Sequence, residues 1–216
     1  MESTYNVFFG KLLLTAVLCC YSAGVSQAKN KRDGNSHATN VLMLGLNDNV
    51  RSNYFPKVMI TEETGITEDR IDEEYNTIIM DNIMAANNGA CKFIPASVTV
   101  ETSAHKWAGL IKVNGEGDEC YSDLTPVPAD EYRKTLDMAE AEYLLAINQH
   151  YLKWQETPMH TLFYIVSYTL FDKDKNEIYR GSSYFTSMNL ERPEKLRKIS
   201  GKTSSRIAAS VINQLK

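Results

Sequence analysis

The sequence predicts an α/β domain: a mixed sheet of about five or six strands with three helices packed on it. Three observations carry this. Short apolar runs such as "VLMLGL" (Val41 to Leu46) and "TLFYIVSYTLF" (Thr161 to Phe171) have the β-branched and aromatic character of strands. Between them, apolar residues recur at helical spacing, as at Ile71, Tyr75, Ile78, Ile79, Ile83 and Ala86. The two kinds of segment alternate along the chain, which fits helices laid over one sheet.

"VLMLGL" is apolar throughout, so it reads as a strand covered on both faces. The polar stretch after it leads to the helix around Ile78, with Thr67 or Asp69 to cap its start and Gly89 to end it. Cys91 to Glu101 reads as a strand, with Pro95 implying an edge or a bulge. Lys106 to Gly115 reads as another, and Gly115 to Glu119 as the turn after it. Pro128 stands where a helix begins, acidic residues follow in its first turn, and Tyr132, Leu136 and Ala139 form its buried stripe. From Glu142 to Trp154 the period is that of a strand, first apolar on both sides and then amphipathic. Thr161 to Phe171 and Glu177 to Met188 form a hairpin across a short charged turn. Leu196, Ile199, Thr203, Ile207, Val211 and Leu215 mark one face of a last helix, with Pro193 near its start.

With 216 residues, a net charge of -4 and 43% hydrophobic residues, the chain has the composition of a globular protein rather than a disordered one. Residues 1–28 read as a secretory signal peptide, from Lys11 and the apolar run after it to the small residues Ser26 and Ala28, with cleavage between Ala28 and Lys29. The apolar run is well short of the roughly 20 residues that span a bilayer. Residues 29–40 are a polar leader, and residues 41–216 a single α/β domain. Cys19 and Cys20 raise the alternative of a lipid anchor in the outer membrane, but no small residue precedes Cys19. Export puts the remaining pair, Cys91 and Cys120, in an oxidising space, where a structural disulfide is expected. Cys-x-x-Cys spacing, the mark of a redox pair, is absent.

The chain offers little chemistry. Asp172, Asp174 and Asn176 alternate as in a calcium loop. Counting from Asp172, however, the sixth and twelfth positions hold Glu177 and Ser183, where such a loop needs Gly and Glu, so the segment reads as a bend between strands. His37, His105, His150 and His160 have no zinc-ligand spacing. There is no Gly-x-Ser-x-Gly and no phosphate or dinucleotide loop, so no cofactor is expected. The acidic run from Glu62 to Glu74 reads as a solvated lead into a helix, with paired glycosidase carboxylates as the alternative. Basic residues crowd the last helix at Arg192, Lys195, Arg197, Lys198, Lys202, Arg206 and Lys216. They suit a solvated face or peripheral contact with an anionic membrane. An acidic, exported chain is a poor match for nucleic acid.

From "AEAEYLLAINQHYLKW" onward the chain resembles small secreted envelope proteins. These are the lipoproteins that activate penicillin-binding proteins, the curli-secretion subunits and the amino-terminal domain of the TolB translocation protein. The motif is Ala141, Glu142, Tyr143, Leu144, Leu145, Ala146 and Ile147 at the start of a central strand, then a strand, an Asp turn from Asp172 to Ile178, a second strand and a last helix. The segment Val98 to Pro126 is extra to that pattern. The resemblance implies an anticodon-binding-domain-like fold and a non-catalytic role exercised through another envelope protein, in the periplasm or outside the cell of a Gram-negative bacterium. The rival expectations are a hydrolase of glycans or cell wall using Asp and Glu residues, and a ligand-binding module using its 12 Tyr and 2 Trp residues as a stacking surface.

Overall fold

The computed structural model describes residues 38–87, 89–96 and 98–216, without the side chains at 98, 99, 101 and 105. The signal peptide with its Ala28–Lys29 cleavage site, Cys19, Cys20, His37 and nearly all of the leader lie outside the described residues.

The domain is a mixed α/β structure. Its strands are β1 (Thr39–Gly45), β2 (Val50–Ser52), β3 (Cys91–Pro95), β4 (Lys112–Asn114), β5 (Tyr121–Asp123), β6 (Tyr143–Gln155), β7 (Thr161–Asp172) and β8 (Glu177–Ser187). Its helices are α1 (Lys57–Thr64), α2 (Ile71–Met84), α3 (Val98–Ala108), α4 (Ala129–Met138) and α5 (Pro193–Gln214). The main sheet runs β3-β1-β6-β7-β8, and β2 takes over from β1 beside β6. β1 is parallel to both β3 and β6, whereas β6, β7 and β8 form an antiparallel meander. β4 and β5 form a small hairpin of their own.

Both faces of the central strands are covered, as continuous apolar runs require. On one face Val41, Met43, Leu145, Ile147, Val166 and Tyr168 pack under α2 and α5. On the other, Leu42, Leu144 and Ala146 meet Trp107 of α3 and Tyr132 and Leu136 of α4. A third cluster carries the first face onward, with Leu152, Leu162 and Tyr164 against Ile71, Tyr75 and Leu196.

Three expectations need correction. First, Val98 to Glu101 and the start of the stretch from Lys106 are helix, not strand. Strand structure is confined to Cys91–Pro95 and Lys112–Asn114. Val100, Ala104 and Trp107 stand on one helical face and are buried. Ser103 Oγ lies 2.9 Å from Thr135 Oγ1, and Trp107 Nε1 donates to the same oxygen at 3.0 Å. Packing on α4 thus overrides the β-branched bias of "SVTVET".

Second, α2 begins from a 3-10 turn over Glu68–Arg70 with no side-chain cap bond, and it ends at Ala85 rather than Gly89. α1, β2 and β5 were not expected; α1 buries only Ile60 and Thr64, too little for a readable period.

Third, Cys91 and Cys120 are not joined. Cys91 pairs with Thr39, two residues before the level at which Val41 meets Tyr143. The Cys120 thiol bonds Ser167, which lies opposite Gln149. The two thus stand eight register positions apart, roughly 26 Å along the strands, while a disulfide needs Cα atoms within about 7 Å. Burial and the carboxylate of Glu142 push the Cys91 thiol up to about 11, so it stays protonated.

Candidate functional site

Between β1 and β2 the chain leaves the sheet for four residues, and Asn49 fills the gap. Its backbone carbonyl accepts from the His150 amide (2.8 Å), and its Nδ2 donates to Ile147 O (3.2 Å) and Asn76 Oδ1 (2.9 Å). Asn76, on α2, donates from Nδ2 to Leu46 O at 3.0 Å, which fixes its Oδ1 as an acceptor. His150 Nε2 lies 2.9 Å from that Oδ1 and therefore carries the proton. Its ring stands edge-on to Tyr75, with centroids 5.8 Å apart. His150 is 3% exposed, and burial pushes its pKa down to about 3, so it is a neutral packed histidine. A lone polar residue on a strand gives no sign that two asparagines will converge on it, and the sequence reading missed both.

On the opposite face a bulge between Ile147 and Gln149 turns Asn148 and Gln149 toward the β4–β5 hairpin. Asn148 bonds Cys120 O (3.1 Å), Thr169 Oγ1 (3.0 Å) and Ser122 Oγ (2.7 Å), and Gln149 Oε1 accepts from Gly117 N (2.7 Å). These bonds pin the hairpin over the first half of that face. Gly117 reaches the ring of Tyr151, and beyond it no element among the described residues is pinned over the second half in this way. There the rows Tyr151–Ile165–Tyr184 and Lys153–Phe163–Thr186 run across β6, β7 and β8 with each side chain partly or fully exposed. Tyr184 is 57% exposed, and its ring lies 5.8 Å from that of Phe163. Among the described residues β8 ends the sheet, and its outer row of backbone groups has no strand partner there. It is 11 residues long and contains neither Pro nor Lys, the residues that usually blunt an edge. Thr203 of α5 donates to the carbonyl of Tyr184 at 3.0 Å.

A crevice of about 810 Å³ opens at the carboxyl ends of β1 and β3. The crossovers put α2 on one face and α3 on the other at this point, so the helices diverge and leave a gap, the usual ligand position in open α/β sheets. Asp48, Asp69, Asp72, Glu73 and Asp81 line it, and among the described residues no Lys or Arg does.

Asp172 Oδ1 accepts from the amides of Asp174 (2.8 Å) and Asn176 (2.9 Å), so the carboxylate closes the β7–β8 bend. Among the described residues no three potential metal ligands converge. In the acidic run, Asp72 accepts from the Val50 amide (2.8 Å) and Lys57 (3.5 Å), and Arg70 pairs with Glu73 and Glu74. The hydrogen bond from Thr67 holds the exposed Asp69 carboxyl below its usual range, the reverse of what a glycosidase acid needs. His160 is exposed and edge-on to Trp154 at 5.6 Å; the His105 side chain lies outside the description. On α5, Arg197 pairs with Asp81 and Lys195 with Glu191, while Lys198, Lys202 and Arg206 face solvent. No helix among the described residues is long and apolar enough to cross a membrane.

No family model matches the chain, and neither does any curated protein. Solved structures do. The fold is similar to the hypothetical protein CT253 from Chlamydia trachomatis, at 12% identity and a TM-score of 0.44 over 82% of this chain and 95% of that one. It is similar to lipoprotein GNA1162 from Neisseria meningitidis, at 12% identity and 0.36 over 82% and 97% of the two chains. The LpoB C-terminal domain from Salmonella enterica matches at 13% identity and 0.33 over 71% and 86%. Of these, GNA1162 is named a lipoprotein. The TM-scores are low, so the roles of residues here follow from the geometry above.

Proposed function

We propose that the chain is an exported, non-catalytic accessory protein of the cell envelope, periplasmic or secreted, built as a single domain over residues 41–216. It holds another envelope protein along β8 and the bare half-sheet beside it. The observation that carries the reading is the unpaired edge of β8 running beside the exposed rows that end in Tyr184 and Thr186. An edge strand offers a partner a ladder of main-chain bonds, and alternate side chains give selectivity. The signal-peptide pattern supplies the address, and within the acidic run Asp72, Glu73 and Glu74 are engaged in ion pairs and a backbone bond rather than poised as a catalytic pair.

Crosslinking in cells tests this. A photoreactive residue at Ser182 or Thr186 is expected to trap a partner, and one at Glu62 on α1 is not. Tyr184→Asp, a charge on the bare rows, is expected to abolish both adducts while leaving the thermal midpoint nearly unchanged. Equal trapping from Glu62, or adducts that survive Tyr184→Asp, would remove the assignment of this face.

A further inference from the structure

We infer that the crevice between α2 and α3 is a second docking groove, one that takes a cationic segment of another protein carrying apolar side chains. It is independent of the β8 reading, since it lies at the β3–β1 side of the sheet and shares no residue with that surface.

Charge is the first argument. Five carboxylates line the groove: Asp48, Asp69, Asp72, Glu73 and Asp81. The cations bound to them number three: Lys57 on Asp48 and Asp72, Arg70 on Glu73, and Arg197 on Asp81. Five less three leaves two negative charges uncompensated, and Asp69 has no ion pair in the described structure. Each of the three cations also stands outside the lining, so among the described residues the charges that face an occupant are acidic only. A cleft lined by one sign of charge with low-dielectric walls concentrates ligands of the other sign.

The floor is the second argument. Leu44, Met80, Met84, Ala108 and Ile111 line the groove and are only partly buried, and Val113 is 43% exposed. A hydrated metal ion or polyamine gains nothing from such a floor. Leucine-like anchors do, and the methionines can repack to fit different ones. Asp72, Glu73 and Asp81 on α2, with Asp69 in the turn before it, lie above the floor, so an occupant presents basic residues on one side and apolar residues on the other. From Asp69 to Met84 the wall is about 22 Å long at about 1.5 Å per residue, enough for several residues of a bound segment. The usual position of ligand crevices in parallel sheets agrees.

The test uses the full described domain and a fluorescently labelled leucine–lysine peptide. Three controls accompany it: the leucine–glutamate version, a serine–lysine version, and the α5 variant Lys198→Glu/Lys202→Glu. The leucine–lysine peptide is expected to bind in a salt-sensitive way and to shift amide resonances at Asp69, Glu73, Met80 and Ile111. Asp69→Lys/Glu73→Lys, both exposed and so tolerant of change, is expected to weaken binding about tenfold or more. Met80→Ala should weaken it without altering the salt dependence, and the α5 variant should bind as the parent does. Binding of leucine–glutamate as tight as that of leucine–lysine would overturn the inference. So would shifts centred on β8 or α5, or a charge reversal without effect. Equal binding of serine–lysine would overturn the apolar-anchor half of it.

Discussion

Gly45→Ala is expected to destabilise the domain by about 3 kcal/mol, and to cost less than about 1 kcal/mol once Asn76 has been changed to glycine, which removes both the amide and the Cβ. A Cβ at position 45 would sit 2.4 Å from Asn76 Cγ and 2.6 Å from its Cβ, distances that real contacts do not reach. The obstacle is a neighbouring side chain, not a backbone angle. Asn76 cannot swing aside cheaply, because Leu46 O, Asn49 and His150 hold its amide from three directions. Overpacking of a rigid site costs roughly 1 to 3 kcal/mol, and freeing the amide adds buried polar groups without partners. Asn76→Gly alone should cost about 3 to 4 kcal/mol, for the second reason and for a glycine inside α2. The two changes remove the same contact, so their effects must fall well short of additive. Urea denaturation of the parent, both single variants and the double variant measures this. Full additivity would mean that Asn76 does not clamp β1.

Stability should also fall on acidification before the carboxylates titrate, because of one histidine. Burial lowers the His150 pKa from 6.5 to about 3. The folded state therefore keeps the ring neutral in a range where the unfolded chain protonates it. The unfolded state binds the extra proton, so stability is complete above pH ~6.5 and is lost as pH falls from there toward ~3. At about 1.4 kcal/mol per pH unit, the loss from pH 6.5 to 4.5 is on the order of 2 to 3 kcal/mol. Tyr75 and Tyr164 beside it have pKa values raised by burial, so neither charges in this window. His150→Gln can still donate to Asn76 and does not titrate. Its unfolding free energy should be nearly flat from pH 7 to 4.5 while that of the parent slopes. Parallel slopes would assign the acid sensitivity to other groups.

Several elements were legible because each carries its own pattern. The meander from Tyr143 to Ser187 reads in sequence as three strand runs with a charged bend between the last two, and the structure builds it with Asp172 closing that turn. α5 shows its period and its opening proline. The misread segments take their form from distant partners. The residues from Val98 look like strand until Thr135, on another helix, supplies an oxygen for Ser103 and Trp107. The expected disulfide failed for the same reason, since spacing along the chain cannot show that Cys91 starts an edge strand while Cys120 lies over the middle of β6 and β7. The candidate surfaces were hardest to see. A bare half-sheet is a matter of where other elements stop, and the crevice gathers residues from four parts of the chain.

β1 is the keystone of the parallel side. β3 joins the sheet through β1 and no other strand, and α2 bridges the two. A cut or tag that trespasses past Thr39 would therefore unmoor residues as far away as Cys91–Pro95, although the meander keeps its own partners. Whatever tethers or trims the amino terminus has its safe limit at the first residue of that strand.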